Sequence, residues 1–407
     1  MKRPELTLAD VRVARERIAG ALVHTPCTES LVFGDLIPGR LHVKFENLQR
    51  TGSFKERGSL NKMLQLSPEQ RAKGVVTASA GNHAQAVAFH AHRLGINATV
   101  VMPENTPRIK VKNNERYHAR VVLRGSIFDE AAVEARRLEK EEGLVMIHPF
   151  DDLDVMAGQG TIGLEILEQV PNVDLVVVPV GGGGLISGIA VAIKSQRPDV
   201  RVIGVESAAA PSARASRDAG RIVRIEHADT IADGIATKQV GELTFGHIQH
   251  WVDDLVVVTE EEIATAILLL LEREKTVAEG SGAAPAAALL SGRVPLSPDQ
   301  ATVFVLSGGN IDINRISRII DRGLVADGRL IRLRVRMQDR PGSLARLAHA
   351  VAEEGANVLE IVHRRAFADI SVGDVDLVMH LETRGRDHGK SIVRALEAQG
   401  LTVEEEL

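Results

Sequence analysis

Between about residues 70 and 310, short apolar and β-branched runs alternate with longer stretches of helical periodicity. The runs fall at 75–77, 98–102, 120–123, 175–178, 202–205, 255–258 and 303–306. Strand followed by helix, repeated, predicts a largely parallel sheet with helices on both faces. Two of the helices are readable from their charges. Residues 128–142 are charged on one face and Ala-rich on the other, and 260–275 open with acids and end with bases, as the helix dipole favours. Past Arg329 the pattern changes: strands are expected at 330–337, 357–365, 375–382 and 401–405, and helices at 341–354 and 387–399. That order, βαββαβ, is the ferredoxin-like plan in a piece of about eighty residues, enough for a small domain. The chain therefore divides into a first region at 1–320, with a small lobe at about 50–150 inserted in a larger one, a linker at 321–328 carrying Gly323 and Gly328, and a second domain at 329–407.

One stretch, 175–193, has no charge and is nearly long enough to cross a bilayer. Pro179 and the run Gly181-Gly182-Gly183-Gly184 would break the backbone hydrogen bonding that lipid demands. A buried strand, a loop and a buried helix are expected there, with no membrane partner.

Composition narrows the class. At 407 residues, 44% hydrophobic and 25% charged, the chain can bury large cores in two or three domains. Its 49 Lys and Arg against 54 Asp and Glu, with no long block of like charge, do not point to nucleic acid. A single cysteine, Cys27, excludes an internal disulfide framework and a multi-thiolate metal site. With Met1-Lys2-Arg3-Pro4-Glu5 leading into a charge-rich amphipathic stretch and no apolar signal region, a cytoplasmic location is expected.

Four loops carry candidate chemistry. In Thr51-Gly52-Ser53-Phe54-Lys55-Glu56-Arg57-Gly58 a turn gives way to a helix at the lysine, where the positive end of the dipole favours the neutral, nucleophilic amine. A solvated lysine in a first turn fits the same residues, so the neighbours decide. The tetraglycine, followed by Leu185-Ile186-Ser187-Gly188, can gather backbone amides into an anion cradle; no Walker or G-x-G-x-x-G pattern is present, so a compact phosphomonoester fits. Close helix-to-strand packing is the alternative use of such glycines. Thr77-Ala78-Ser79-Ala80-Gly81-Asn82-His83 collects hydroxyl, amide and backbone donors suited to a carboxylate, beyond what an N-cap needs. Leu306-Ser307-Gly308-Gly309-Asn310 closes the last strand of the series, and all four loops fall where ligands gather in open α/β sheets.

A lysine, a phosphate cradle, a carboxylate cradle and a hydroxyl for a ring nitrogen describe a site for pyridoxal phosphate and an amino acid. Ser53-Phe54-Lys55, Ser79-Ala80-Gly81-Asn82-His83, the tetraglycine and Ser307-Gly308-Gly309-Asn310 stand in an order and spacing that resembles the threonine dehydratases (threonine ammonia-lyases), and the resemblance covers nearly the whole chain. These are fold-type-II, tryptophan-synthase-β-like pyridoxal phosphate enzymes, which implies a two-lobed α/β catalytic region. The resemblance also implies roles. Lys55 would bind the cofactor covalently and Asn82 its 3′-oxygen; Gly181, Gly182, Gly183, Gly184 and Leu185 would hold its phosphate, with Phe54 beside the lysine. Ser307 would face its ring nitrogen, where a neutral hydroxyl favours elimination over transamination. Ser79, Ala80, Gly81, Asn82 and His83 would bind the substrate, with Ser79 and His83 on its carboxylate. The implied reaction converts L-threonine to 2-oxobutanoate and ammonia, and L-serine to pyruvate; 3-hydroxyaspartate is an alternative substrate.

Departures from relatives narrow the reading. Serine racemases of this group carry a second serine where this chain has Ala80, so racemisation is not expected. Cation-binding relatives use a glutamate, a carbonyl and an aspartate; Glu206 and Ala210 match the first two but Ser212 replaces the third, so no metal is expected. His83, His90 and His92 lack a carboxylate or thiolate set and read as ordinary helix residues. The 80–83 loop is the dehydratase form rather than the Ser-Gly-Asn-Thr-Gly of β-replacement enzymes. The C-terminal piece resembles an ACT domain, through Asp339-Arg340-Pro341-Gly342-Ser343-Leu344 and Asn357, which implies an allosteric amino-acid site there and a homodimer or homotetramer. A purely oligomerising domain and a non-catalytic amino-acid sensor are the competing readings.

Overall fold

Each expected run between 75 and 306 is a strand in the computed structural model, which describes residues 5–364, 371 and 373–406. The strands of the first 311 residues are β1 (Cys27–Glu29), β2 (Arg40–Phe45), β3 (Val75–Ala78), β4 (Ala98–Met102), β5 (Arg120–Leu123), β6 (Val145–Met146), β7 (Leu175–Pro179), β8 (Arg201–Ser207), β9 (Asp254–Val258) and β10 (Ala301–Leu306). They form a six-stranded sheet in the order β1-β2-β10-β7-β8-β9 and a four-stranded sheet in the order β5-β4-β3-β6. Every pairing is parallel except β1 with β2. β7 is buried at every position because it lies between β10 and β8 with helices above and below, which is why Leu175-Val176-Val177-Val178 reads as a continuous apolar run.

The chargeless 175–193 stretch resolves into β7, the glycine loop and the helix Gly184–Lys194. Among the described residues, no helix is long and apolar enough to cross a membrane. A stretch at 281–292 rich in Ala and Ser falls largely in the helix Gly280–Leu290, buried against β7, β8, β9 and β10. Strand β2, Arg40-Leu41-His42-Val43-Lys44-Phe45, lies outside the expected runs although its alternation of polar and apolar residues is the pattern of a half-buried strand. It is nevertheless interior: Lys44 is fully buried, its Nζ 2.5 Å from Glu165 Oε2 and 2.7 Å from the Thr25 carbonyl oxygen.

The chain divides into two compact units, residues 1–311 and 312–407. The expected linker at 321–328 is therefore corrected. Residues up to Ala326 belong to the helix Ile313–Ala326, capped by the Asp312 side chain accepting from the Asn314 N–H. Gly323 sits inside that helix at a cost of about 1 kcal/mol against alanine, and only Gly328, at φ +69°, acts as a turn residue.

The second unit holds β11 (Leu330–Gln338), β12 (Asn357–Arg364), β13 (Asp374–Glu382) and β14 (Thr402–Glu406), antiparallel in the order β12-β13-β11-β14. The helices Ser343–Glu353 and Arg386–Ala398 complete the βαββαβ order. Leu333, Val335, Leu347, Val351, Met379, Ile392 and Leu396 form its core. Arg332, Arg334 and Arg336 alternate with those inward residues of β11 and carry ion pairs to Glu406, Glu404 and Asp376. The expected end of β12 at 365 lies outside the described residues.

Candidate active site

Lys55 opens the helix Lys55–Leu64, and the loop before it is laced to the end of β10. The Phe54 N–H donates to the Ser307 carbonyl at 3.0 Å, the Gly309 N–H to the Gly52 carbonyl at 2.9 Å, and Ser53 bridges Gly308. The lysine and Ser307, far apart in sequence, thus belong to one rigid corner. Lys55 Nζ donates to the Pro149 carbonyl at 2.8 Å and lies 5.0 Å from the centre of the Phe54 ring. Burial pushes its amine down to about 8, with the negative charge of Glu279 pulling the other way. Two residues on, Arg57 is locked by Glu46 at 2.7 Å and Glu165 at 2.6 Å, which holds this helix to β2 and to the helix Leu153–Gln169.

The glycine run turns from β7 into the helix Gly184–Lys194, whose first-turn N–H groups have no partner within the helix. The glycines are needed for packing. A Cβ on Gly182 would stand 2.3 Å from the Phe150 ring, and one on Gly184 would stand 2.8 Å from the Phe150 carbonyl. Gly183 adopts φ +92°, and the Gly182 carbonyl accepts from Thr244 Oγ1 at 2.7 Å. Leu185 is buried in the core beneath.

At the end of β3, Ser79 Oγ accepts from the Gly81 N–H at 3.2 Å, Ala80 packs against the core of the smaller sheet, and a Cβ on Gly81 would meet only open space. Asn82 begins the helix Asn82–Leu94. The ring of His83 is corrected from its expected place on a carboxylate. It is buried, with Nε2 2.9 Å from the Ile147 carbonyl and Nδ1 3.5 Å from Ser59 Oγ. Burial pushes His83 down to about 3, so it is a neutral imidazole that pins the chain just after β6 to this helix. What His83 offers the loop is its first-turn N–H.

Three participants, Pro149, Phe150 and Glu279, escaped the sequence reading, and Asn310 stood in a quoted motif without a role. Pro149 and Phe150 follow β6, at the same edge of the sheet as the other loops. Asn310 donates from Nδ2 to the Asn82 Oδ1 at 2.8 Å, and Glu279 accepts from Asn82 Nδ2 at 2.7 Å. Glu279 did carry a signal: it is the single charge between Lys275 and Arg293. Glu206 holds neither Ala210 nor Ser212; its two oxygens accept from the Ala213 and Arg214 N–H groups at 2.7 Å. Burial pushes Glu206 up to about 7 against the pull of those groups.

In the second unit Gln338, Asp339, Arg340, Pro341, Gly342, Ser343 and Leu344 line a cavity of about 360 Å³ with His363. Asn357 is corrected from its expected place beside them. It pairs with Glu382 while Gln338 pairs with the strand's other end at Asp374, so the register of β13 puts them about 26 Å apart at 3.3 Å per residue. Asn357 Nδ2 instead donates to Glu382 at 3.3 Å.

Residues 18–308 match the family described as pyridoxal-phosphate dependent enzyme. The chain belongs to that family. Residues 331–400 match the ACT domain. Over 394 residues this pyridoxal-phosphate-dependent chain is 50% identical to an L-threonine ammonia-lyase of Geobacter sulfurreducens, covering 97% of this chain and 98% of that protein. It is 48% identical over 398 residues to an L-threonine ammonia-lyase of Thermotoga maritima, at 98% and 99% coverage. The solved processed form of threonine deaminase isoform 2 from Solanum lycopersicum superposes with a TM-score of 0.73 at 38% identity, over 77% of this chain and 86% of that one.

The residues present fit the family's cofactor. A phosphorylated pyridine aldehyde needs an amine that gives up its proton more readily than an ordinary lysine, a cradle of amides, and polar groups in want of partners. Lys55 and the glycine loop supply the first two. Ser53 Oγ is buried without a hydrogen-bond partner among the described residues.

Proposed function

We propose that this pyridoxal-phosphate-dependent enzyme is a threonine ammonia-lyase, converting L-threonine to 2-oxobutanoate and ammonia and L-serine to pyruvate. The observation that carries the reading is the Lys55 amine, set at a helix start and bonded to the Pro149 carbonyl beside Phe150, the residue against which Gly182 and Gly184 pack, in a chain similar over nearly its full length to two L-threonine ammonia-lyases. Lys55 would hold the cofactor, Gly181 to Leu185 its phosphate, Asn82 its phenolic oxygen and Ser307 its ring nitrogen. The bound cofactor supplies an electron sink for the pair left behind when the Cα proton departs. Once the substrate's amine has taken its place and set it free, Lys55 Nζ would take that proton, and one proton leaves with the β-hydroxyl as water. The enamine released then takes up one water and loses ammonia, so no oxidant or reductant is consumed. Ser79 Oγ and the N–H groups of the 80–83 turn would orient the substrate carboxylate, and the Phe54 ring lies 5.0 Å from the amine.

The ACT cavity supports an amino-acid effector site. A cytoplasmic homodimer or homotetramer completes the reading, supported by the lone Cys27 and by Leu359 and Val362, which are exposed on the edge strand β12. The deciding experiment measures 2-oxo acid release from L-threonine, L-serine and 3-hydroxyaspartate by protein loaded with pyridoxal phosphate, with Lys55→Ala as control. Threonine as the fastest substrate, with activity lost in the variant, supports the reading. Release from 3-hydroxyaspartate alone overturns the substrate, and no release from any of them overturns the activity.

A further inference from the structure

Three side chains from distant segments meet behind the 79–83 loop. Asn310 Nδ2 donates both to the Thr51 carbonyl at 2.6 Å and to Asn82 Oδ1 at 2.8 Å. Asn82 Nδ2 donates to Glu279 Oε1 at 2.7 Å, and the same oxygen accepts from Ser281 Oγ at 2.7 Å. A backbone carbonyl can only accept, so Thr51 fixes which end of the Asn310 amide faces inward. That in turn presents a donor to Asn82, whose oxygen must answer it. At the far end Glu279 presents an acceptor, whether ionised or not, and takes one N–H of the Asn82 amide. A flipped Asn82 would set oxygen against Glu279 and NH2 against the Asn310 NH2, two like-pole contacts in place of two hydrogen bonds. One Nδ2–H of Asn82 is left for another acceptor.

The space around Glu279 is built to this arrangement. A Cβ on Gly308 would stand 2.5 Å from Glu279 Oε1 and 3.1 Å from Asn82 Nδ2, so the residue after Ser307 has to be glycine for the carboxyl to reach the amide. The charged groups that face Glu279 are Asp233, Lys110 and Lys55, from three separate segments. None of them replaces the carboxyl as the acceptor for Asn82.

We propose that Glu279 and Asn310 are positioning residues that lock the amide of Asn82 in the one orientation that offers an N–H to the cofactor's phenolic oxygen. The inference rests on the proposed contact of Asn82 with that oxygen. It names no group that touches the reacting atoms; both residues act through Asn82.

The test is the dissociation constant of pyridoxal phosphate, titrated into cofactor-free full-length protein and followed by the visible absorbance of the lysine-bound form. Glu279→Leu and Asn310→Leu are each expected to weaken binding about tenfold, the equivalent of about 1.4 kcal/mol. Glu279→Gln, which keeps an acceptor, is expected to restore most of it. In an Asn82→Ala background both leucine variants lose their effect, because there is no amide left to orient. A purely structural role would instead lower the melting temperature and weaken binding equally in both backgrounds, and that result overturns the proposal. If Asn82→Ala by itself leaves the constant unchanged, the proposed Asn82 contact is wrong and the orientation idea falls with it. Should Glu279→Leu not fold, the exposed Asn310→Leu carries the same comparison.

Discussion

Lys55 Nζ donates to the backbone carbonyl of Pro149 at 2.8 Å, which joins the start of the helix Lys55–Leu64 to the loop after β6. A carbonyl holds the amine in place without neutralising it or competing as a charge. The ionic influence on the lysine comes from Glu279, and burial outweighs it.

The pH dependence of cofactor capture follows. The neutral amine is the nucleophile, and with Lys55 pushed down to about 8 its fraction rises through that pH. The rate at which cofactor-free protein takes up pyridoxal phosphate, read by stopped-flow absorbance, is expected to climb with pH and reach half its plateau near 8. Stability carries the same sign. The folded lysine titrates near 8 and the unfolded one near 10.5, so the unfolded chain binds more protons between them and the cofactor-free fold gains stability as pH rises across that window. Lys55→Met removes a disfavoured buried cation and is expected to raise the melting temperature of the cofactor-free protein at neutral pH. A melting temperature that falls in this variant would contradict the assigned burial.

Gly182→Ala is expected to destabilise the fold by about 1–3 kcal/mol, the usual range for forcing extra volume into a packed site. The added Cβ would meet the Phe150 ring at 2.3 Å. Because one clash causes the loss, Phe150→Ala in the same chain should recover part of it, with a coupling of about 0.5–3 kcal/mol in a double-mutant cycle. Additive losses in denaturant unfolding would show that the glycine serves the phosphate cradle alone.

How much of this was legible depends on where each partner lies in the chain. The glycine loop and the corner at Lys55 are local patterns, strand to turn to helix, and local patterns survive in sequence. The two long charged helices were readable for the same reason. Pro149 and Phe150 reach the site only through tertiary folding, and a lone Pro or Phe has no spacing to read; Glu279 stands out as a solitary charge, but nothing near it in the chain names Asn82 as its partner. His83 shows the converse. It stands in the right motif, but the Ile147 carbonyl claims its ring, and no pattern near residue 83 announces a strand end 64 residues later. The alternation of β2 reads as a strand with one wet face, and the burial of Lys44 depends on Glu165, 121 residues away, with the Thr25 carbonyl and Gln169.

Arg57→Met should be strongly destabilising, by about 3–5 kcal/mol, since it leaves Glu46 and Glu165 buried with Lys44 alone to offset them. Its pH signature separates it from simple loss of packing. In the intact protein burial pushes the Glu165 carboxyl up, but Arg57 and Lys44 beside it overcome this and hold it below the usual range. That contribution to stability is present above the unfolded value of 4.5 and is lost as pH falls through the folded one. Without Arg57 burial dominates, folding favours the protonated carboxyl, and the variant should gain stability on mild acidification where the parent does not. Parallel melting curves across pH would rule this out.

The cavity at the start of the helix Ser343–Glu353 makes the last prediction, and it concerns regulation. Gly342, at φ +89°, turns the chain so that the first-turn N–H groups of that helix face a space of about 360 Å³, the size of an amino acid with room for water. A carboxylate is favoured at those N–H groups by the helix dipole, and Asp339 lines the same cavity as a partner for an ammonium. Asp339→Ala is therefore expected to weaken an amino-acid effector by about ten- to a hundredfold, the range for a hydrogen bond to a charged group at roughly 1.5–3 kcal/mol. Calorimetric titration of a panel of amino acids identifies the effector, and the shift of its dose–response on threonine turnover reads the variant. Asn357, at the opposite end of β13, should leave that binding constant unchanged when replaced by alanine if one copy's cavity is the whole site. Equal weakening by Asn357→Ala would mean that a second copy of the chain completes the cavity, and effector binding would then depend on protein concentration.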